Sequence, residues 1–178
     1  VDNRSDLAAA LDVDGAALRG LSDAALVLRG VARWGDGCFE RILGPFAAIV
    51  VDRSRRRVFL ARDALGERPL ACYSDARRWV VASEPYAVTQ HPAVPDEADD
   101  VWWAQYHAVV SPGDGRTRFS SVRELLPAHI RIVDEAGARD RHYWQADPVP
   151  RLRYRHDEEY AEQLLELMDR SVARRLRS

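Results

Sequence analysis

Two apolar runs separated by a short, highly charged connection constrain this chain more than any other feature. They lie in residues 46–70, FAAIVVDRSRRRVFLARDALGERPL. Residues 46–51 are apolar, residues 58–61 are apolar again, and Asp52-Arg53-Ser54-Arg55-Arg56-Arg57 between them is too polar to be buried. Strand-like runs joined in this way read as a β-hairpin. The first run is apolar on both faces, which predicts a strand covered on both sides and placed centrally in its sheet. Arg62-Asp63 ends the second strand, and Gly66 and Pro69 shape the loop that follows.

Before the hairpin the pattern is helical. Residues 3–11 read as a helix with Asn3 as candidate N-cap, and Asp14-Gly15 breaks it. A short helical piece spans residues 16–19. Ser22 or Asp23 caps the next helix, whose apolar face is Ala25, Leu26, Leu28, Val31 and Ala32 and whose end is Trp34-Gly35. Residues 38–43 form a further helical turn, stopped by Gly44-Pro45.

After the hairpin, residues 70–73 and 79–82 predict a second strand pair, so that the strands make an antiparallel meander flanked by helices. Glu84-Pro85 opens a short helix, and Asp96 to Asp100 gives an acidic start to a helix over 101–108. Ser111-Pro112 opens a turn-rich loop. Residues 130–133 and 139–144 are strands, 145–153 with Pro148 and Pro150 is an extended linker, and 157–176 is a long helix with one apolar face.

Length and charge narrow the function classes. The 178 residues suffice for one domain with its own core. A net charge of −2 provides no field for nucleic acid. Two cysteines are too few for a disulfide framework, so a reducing cytoplasm is expected. No run is apolar for the length of a membrane span, and no signal peptide opens the chain. It begins Val1-Asp2-Asn3 without Met, as though cut from something longer.

Single residues have plain structural readings. Cys38 and Cys72 read as small buried hydrophobes, lacking a neighbouring His or a cluster of positive charge. The five histidines show no metal-ligand spacing, so no metal ligands are assigned. Gly113-x-Gly115 is a turn and not a phosphate cradle, because no strand-to-helix context surrounds it. Trp102, Trp103 and Tyr106 read as core or interface anchors. Arg62-Asp63 and Ser83-Glu84 read as structural pairing at strand ends.

Taken together, Trp34-Gly35, Cys38-Phe39-Glu40-Arg41, Gly44-Pro45-Phe46, the stretch 46–70 and Ala82-Ser83-Glu84-Pro85 form a longer pattern. It resembles the glutamine amidotransferase half of the asparagine synthetase family, which reads roughly WGxxCxxRLxGxFAFxxWD, a basic turn, LFLARDxLGxxPLYY and FASExKAL. A later family pattern, TxFxxVxxLPPGHxL…G…YW, is matched by Thr117-Arg118-Phe119, Val122, Leu126-Pro127-Ala128-His129 and Tyr143-Trp144. Ala128 stands where the family usually has Gly.

The resemblance implies an α+β fold, the αββα sandwich of N-terminal-nucleophile (Ntn) hydrolases and class II glutamine amidotransferases, with the N-terminal strands missing from this chain. Residues 1–147 would be the amidotransferase-like domain. Residues 148–178 would be a linker and the first helix leading to an ATP-dependent synthetase domain that this chain lacks. No cofactor is implied for the chain itself; ATP and Mg are implied for the synthetase domain. That domain is the expected partner, a homodimer is allowed, and neither nucleic acid nor membrane is expected.

In the resembled family a cysteine at the mature N-terminus attacks the glutamine amide and its own amino group is the base, so both lie within reach of each other. Val1 has neither thiol nor hydroxyl, so no catalytic residue is assigned. The family's Asn-Gly-Glu segment, which holds the glutamine amide, would lie just before Val1. Ser22-Asp23 matches the family's Ser-Asp-Thr-Glu, which makes Asp23 a candidate substrate-binding residue for the α-ammonium of glutamine; the alternative is that Asp23 only caps a helix. Asp2 and Arg4 replace tyrosines of the pattern, and Ala24 and Ala25 replace Thr and Glu.

Two functions follow from the resemblance. One is the glutaminase half of a glutamine-hydrolysing asparagine synthetase. The other is a domain without glutaminase activity that supports an ATP-dependent amide-forming ligase, as in relatives such as β-lactam synthetase and lasso-peptide cyclase. The altered pocket residues favour the second.

Overall fold

In the computed structural model, residues 1–110, 113–146 and 151–176 are described. Ser111-Pro112 and the expected boundary between 147 and 148, with Pro148 and Pro150, lie outside them. The chain opens with α1 (Arg4–Ala10), α2 (Gly15–Gly20) and α3 (Asp23–Trp34), followed by a 3-10 helix over Gly35–Arg41. The caps are local chemistry: Asp14 accepts from Ala17 N, Ser22 accepts from Ala25 N, and Gly35 at φ 62° ends α3. Asn3 precedes α1 but does not cap it. Its amide instead bridges Arg41 O and Leu43 N, tying α1 to the end of the 3-10 helix.

The hairpin forms as its sequence predicts, from β1 (Ala47–Asp52) and β2 (Arg57–Arg62). Asp52 holds the tip by accepting from Ser54 Oγ and Arg55 N. A second hairpin follows, β3 (Ala71–Ser74) with β4 (Trp79–Ala82), then α4 (Pro85–Thr89) and α5 (Asp100–His107). The remaining elements are β5 (Arg123–Glu124), β6 (His129–Asp134), β7 (Gly137–His142) and α6 (Asp157–Arg175).

The strands do not make one meander. They sort into two antiparallel sheets with orders β1-β2-β6-β7 and β4-β3-β5. Alternation along β2 explains how the layers meet, since successive side chains point to opposite faces. Phe59 and Ala61 pack with Leu7, Val31, Cys38 and Phe39 of the helices. Val58 and Leu60 face the other way, onto Trp79 and Val81 of the second sheet. The far side of that sheet, through Ala71, Tyr73 and Val80, packs on Val88 of α4 and on Val94 and Val122.

One expectation is overturned. β1 is not central: it pairs only with β2 and stands at the sheet edge, with Ile49 50% and Val51 58% exposed. β2, paired to both β1 and β6, and β6, paired to both β2 and β7, are the central strands. The second sheet covers β2 and β6, through Leu60 and the Arg131–Trp79 contact, and does not extend over Val51. An apolar run therefore keeps an open backbone edge, a template for pairing with another strand.

Two helices carry their apolar side chains on the surface. None of the α5 residues is buried; Trp102, Trp103 and Tyr106 stack on one another at the surface, so they are not core anchors. The apolar face of α6 is exposed too, from Leu164 to Val172, and the helix is tied to the body at Arg175, which bonds Glu67 at 2.7 and 2.9 Å. Ala128, at the position the family pattern gives to Gly, has φ 58° in the left-handed region that favours Gly.

Gly30 shows why a residue poor in helix propensity sits inside α3. A Cβ there would meet Cys38 Sγ at 2.4 Å, in the tight contact between α3 and the 3-10 helix. Gly30→Ala is therefore expected to lose about 1–3 kcal/mol despite the better propensity of Ala. In a Cys38→Ala background the same substitution should cost clearly less. Urea melts of the four proteins measure the coupling, and strict additivity would count against this packing.

Candidate functional site

A cleft of about 670 Å³ runs along the open edge of β1. Its walls are the start of α3 (Asp23, Ala24, Val27), residues 46–50, the loop at Arg68-Pro69, and Ser83-Glu84 before α4. The lining is mostly apolar with a few charged groups at the rim, the usual make-up of a small-molecule site.

The loop wall is built by Arg62-Asp63. Asp63, almost fully buried, accepts three backbone N–H bonds, from Leu65 (3.1 Å), Glu67 (2.9 Å) and Arg68 (2.9 Å). Its own N–H donates to Phe46 O, and its carbonyl accepts from Gly66 N and Ala128 N. Arg62 turns away from it, donating to Glu124 at 2.9 Å, Leu125 O at 2.7 Å and Gly66 O at 2.9 Å. The Tyr143 hydroxyl donates to Arg62 O, and burial, with Asp63 nearby, pushes its pKa well above the usual tyrosine value. These two residues form the corner that joins both sheets to the cleft loop, as the structural reading predicts. Ser83 and Glu84 differ: both are exposed at the cleft, and Glu84 makes no ion pair among the described residues.

Asp23 lines the cleft, and Ser22, not Asp23, caps α3. The carboxylate instead receives Arg4 on Oδ1 and the Val1 nitrogen on Oδ2 at 2.8 Å. Burial alone would push this carboxyl up, but the bonds from Val1 and Arg4 outweigh it and hold it below the usual carboxylate value. Sequence reasoning noted Arg4 only as a departure from a family pattern. It missed Arg68, whose position in the pattern is variable and whose guanidinium has no ion pair among the described residues.

Both thiols lie elsewhere. Cys38 is in the helix-facing core, 3.7 Å from Val27 O, and burial pushes its thiol up to about 11 against a small opposing effect of Arg41. Cys72 is buried in β3, and burial raises its thiol although Arg131 Nη1 lies 3.2 Å from the sulfur. Neither sulfur lines the cleft, and Ser83 is the one hydroxyl side chain that does, among the described residues. His129 and His142 stack across β6 and β7, 4.8 Å apart, but no group of three or more potential metal ligands forms among the described residues. No helix among them is long and apolar enough to cross a membrane.

Comparison with known proteins bears on this arrangement. The glutamine amidotransferase domain model matches residues 1–144. Two glutamine-hydrolyzing asparagine synthetases of Bacillus subtilis (strain 168) are similar in sequence. Number 3 is 27% identical over 148 residues, covering 82% of this chain and 24% of the relative. Number 2 is 26% identical over 168 residues, covering 88% and 22%. The chain thus spans about a quarter of the length of these relatives.

Two solved structures share the fold. Glutamine phosphoribosylpyrophosphate amidotransferase from B. subtilis, complexed with ADP and GMP, matches with a TM-score of 0.52 at 18% identity, over 82% of this chain and 28% of that one. A structure described as the allosteric regulatory enzyme of purine biosynthesis matches with a TM-score of 0.51 at 16% identity, over 82% and 27%. The architecture is a mixed α+β domain similar to glutamine amidotransferase (Ntn) domains. With four-fifths of its length matched by the family model, the chain belongs to the glutamine amidotransferase domain family.

Proposed function

We propose that these residues are the amidotransferase-like domain of an asparagine synthetase-family enzyme that forms amide bonds with ATP, and that the residues of this chain do not by themselves hydrolyse glutamine. The fold meant is the αββα sandwich. The observation that carries the reading is the separation of thiols from the cleft. Cys38 and Cys72 sit in cores, held protonated by burial, while the cleft offers one serine with no histidine beside it. A hydroxyl without an adjacent base is a weak nucleophile.

The domain's work would then be to support a C-terminal ligase domain that activates a carboxylate, as in β-lactam synthetase or lasso-peptide cyclase. ATP and Mg would belong to that domain. Gly113-x-Gly115 is not built as a phosphate cradle: Gly115 leads into a bridge between Arg116 and Arg123 rather than a helix, and a Cβ on it would lie 2.5 Å from Glu124 O. A second reading, the glutaminase half of an asparagine synthetase, is favoured by the activity printed in the names of the two B. subtilis relatives and by Asp23 lining the cleft.

Ammonia release from L-glutamine decides between them. The 178-residue chain is expected to release none above the rate of heat-denatured protein, and sustained turnover would end the first reading. The same assay on the complete natural polypeptide separates the two readings for the whole enzyme.

A further inference from the structure

Arg4 connects three pieces of the helical layer at one point. From α1 its Nη1 reaches Asp23 at the start of α3, while Nη2 donates to Leu18 O at 3.2 Å and Leu21 O at 2.6 Å around the end of α2. A planar guanidinium can satisfy a carboxylate and two carbonyls together, which an ammonium cannot do with the same geometry. The Asp23 side chain remains 47% exposed, against 24% for Arg4, and the Val1 nitrogen holds its other oxygen at 2.8 Å, so the carboxylate still lines the cleft while both oxygens already have a partner.

A carboxylate at the rim of an apolar cleft is the place where the cationic end of a ligand would be paired as it leaves water. We infer that Arg4 is a tethered occupant of that place: it closes the Asp23 subsite to the ammonium group of an α-amino acid. The inference rests on reading this cleft as the domain's amidotransferase pocket. A diffusing ammonium must displace a cation whose effective concentration is in the millimolar range or higher and whose other bonds hold it in position. The charged groups left open in the cleft are Arg68 and Glu84, neither of them ion-paired among the described residues.

Calorimetric titration with L-glutamine tests this on the wild-type chain, on Asp23→Asn, on Arg4→Ala and on Arg4→Ala/Asp23→Asn, each with the Val1 nitrogen acetylated so that Arg4 is the one cation on Asp23. The wild type is expected to show no saturable binding up to about 10 mM, a range chosen to exceed the effective concentration of the tether. Arg4→Ala should gain at least about tenfold in affinity, and the double variant should lose the gain. Glutamine binding by the wild type that Asp23→Asn abolishes would overturn the proposal. So would a folded Arg4→Ala that binds no better.

Should Arg4→Ala not fold, the wild type supplies its own readout. The Arg4 Nη1 protons should give resolved, slowly exchanging NMR signals that exchange faster in Asp23→Asn, and Nη1 signals already averaged in the wild type would refute the occupancy. Ammonia release by the chain would remove the proposed function yet leave these signals and titrations to decide the Arg4 contact separately.

Discussion

Phe59→Ala is expected to destabilise the domain by about 3–5 kcal/mol, the range for emptying an aromatic site in a close-packed core. Phe59 is 1% exposed and sits on a central strand, opposite Val50 of β1 on one side and Ile132 of β6 on the other. Its ring lies 6.1 Å from that of Phe39, and the Arg57 guanidinium lies 5.5 Å from its centroid. Removing it opens the seam between the helices and the first sheet. The neighbouring Leu60→Ala should cost about 2–5 kcal/mol, because Leu60 fills the other seam, between the two sheets.

The two side chains belong to different cores but are consecutive on one strand, so their costs should add apart from a coupling through the shared backbone. The double variant would then lose most of the roughly 5–15 kcal/mol available to a domain of this kind. Val51→Ala, on the exposed face of the edge strand, is the control and should change stability by less than about 0.5 kcal/mol. Urea unfolding followed by tryptophan fluorescence measures all four. A Phe59→Ala cost near that of Val51→Ala would mean that the helices are not seated on the sheet.

What was legible in the sequence was local. The polar tip of the first hairpin, Ser22 before α3 and Gly35 after it each act within a few residues of where they stand, so their effects can be read in order along the chain. Strand order was not local. Whether residues 46–51 are central depends on β6 choosing β2, about 70 residues earlier in the chain, and on how far the second sheet reaches. An apolar run looks the same in either place. Trp102, Trp103 and Tyr106 left core and interface open for a related reason: aromatic composition marks a surface that tends to be covered, without saying by what, and the structure removes only the core.

The site divides in the same way. Arg62-Asp63 was readable because it belongs to a spaced pattern with Gly66 and Pro69. The role of Asp23 was not, because the cation beside it comes from Arg4 on another helix. A side chain's chemical type is written in the sequence, but its partner is decided by packing.

Asp63→Ala tests the corner on which the cleft depends, and a loss of about 2–4 kcal/mol is expected. One carboxylate holds the N–H groups of Leu65, Glu67 and Arg68, so its removal strands three donors at once. A fully buried donor left unpaired costs about 1–3 kcal/mol. The sum is smaller than three such terms because Leu65, Glu67 and Arg68 are themselves exposed, and water can reach part of the loop. Asp63→Asn should fall between the two proteins. Its carbonyl oxygen can still serve Leu65 and Glu67, but the amide nitrogen would meet the Arg68 N–H donor to donor.

The signature that separates this from general loosening is where protection is lost. Amide exchange at 65, 67 and 68 should accelerate in Asp63→Ala while the β1–β2 amides stay protected. Because Arg68 and Pro69 form one wall of the cleft, the same variant should also lose whatever ligand affinity the cleft has. If instead the three amides keep their protection, Asp63 does not hold the loop, and the cleft wall must be set from Arg62 and Glu124 alone.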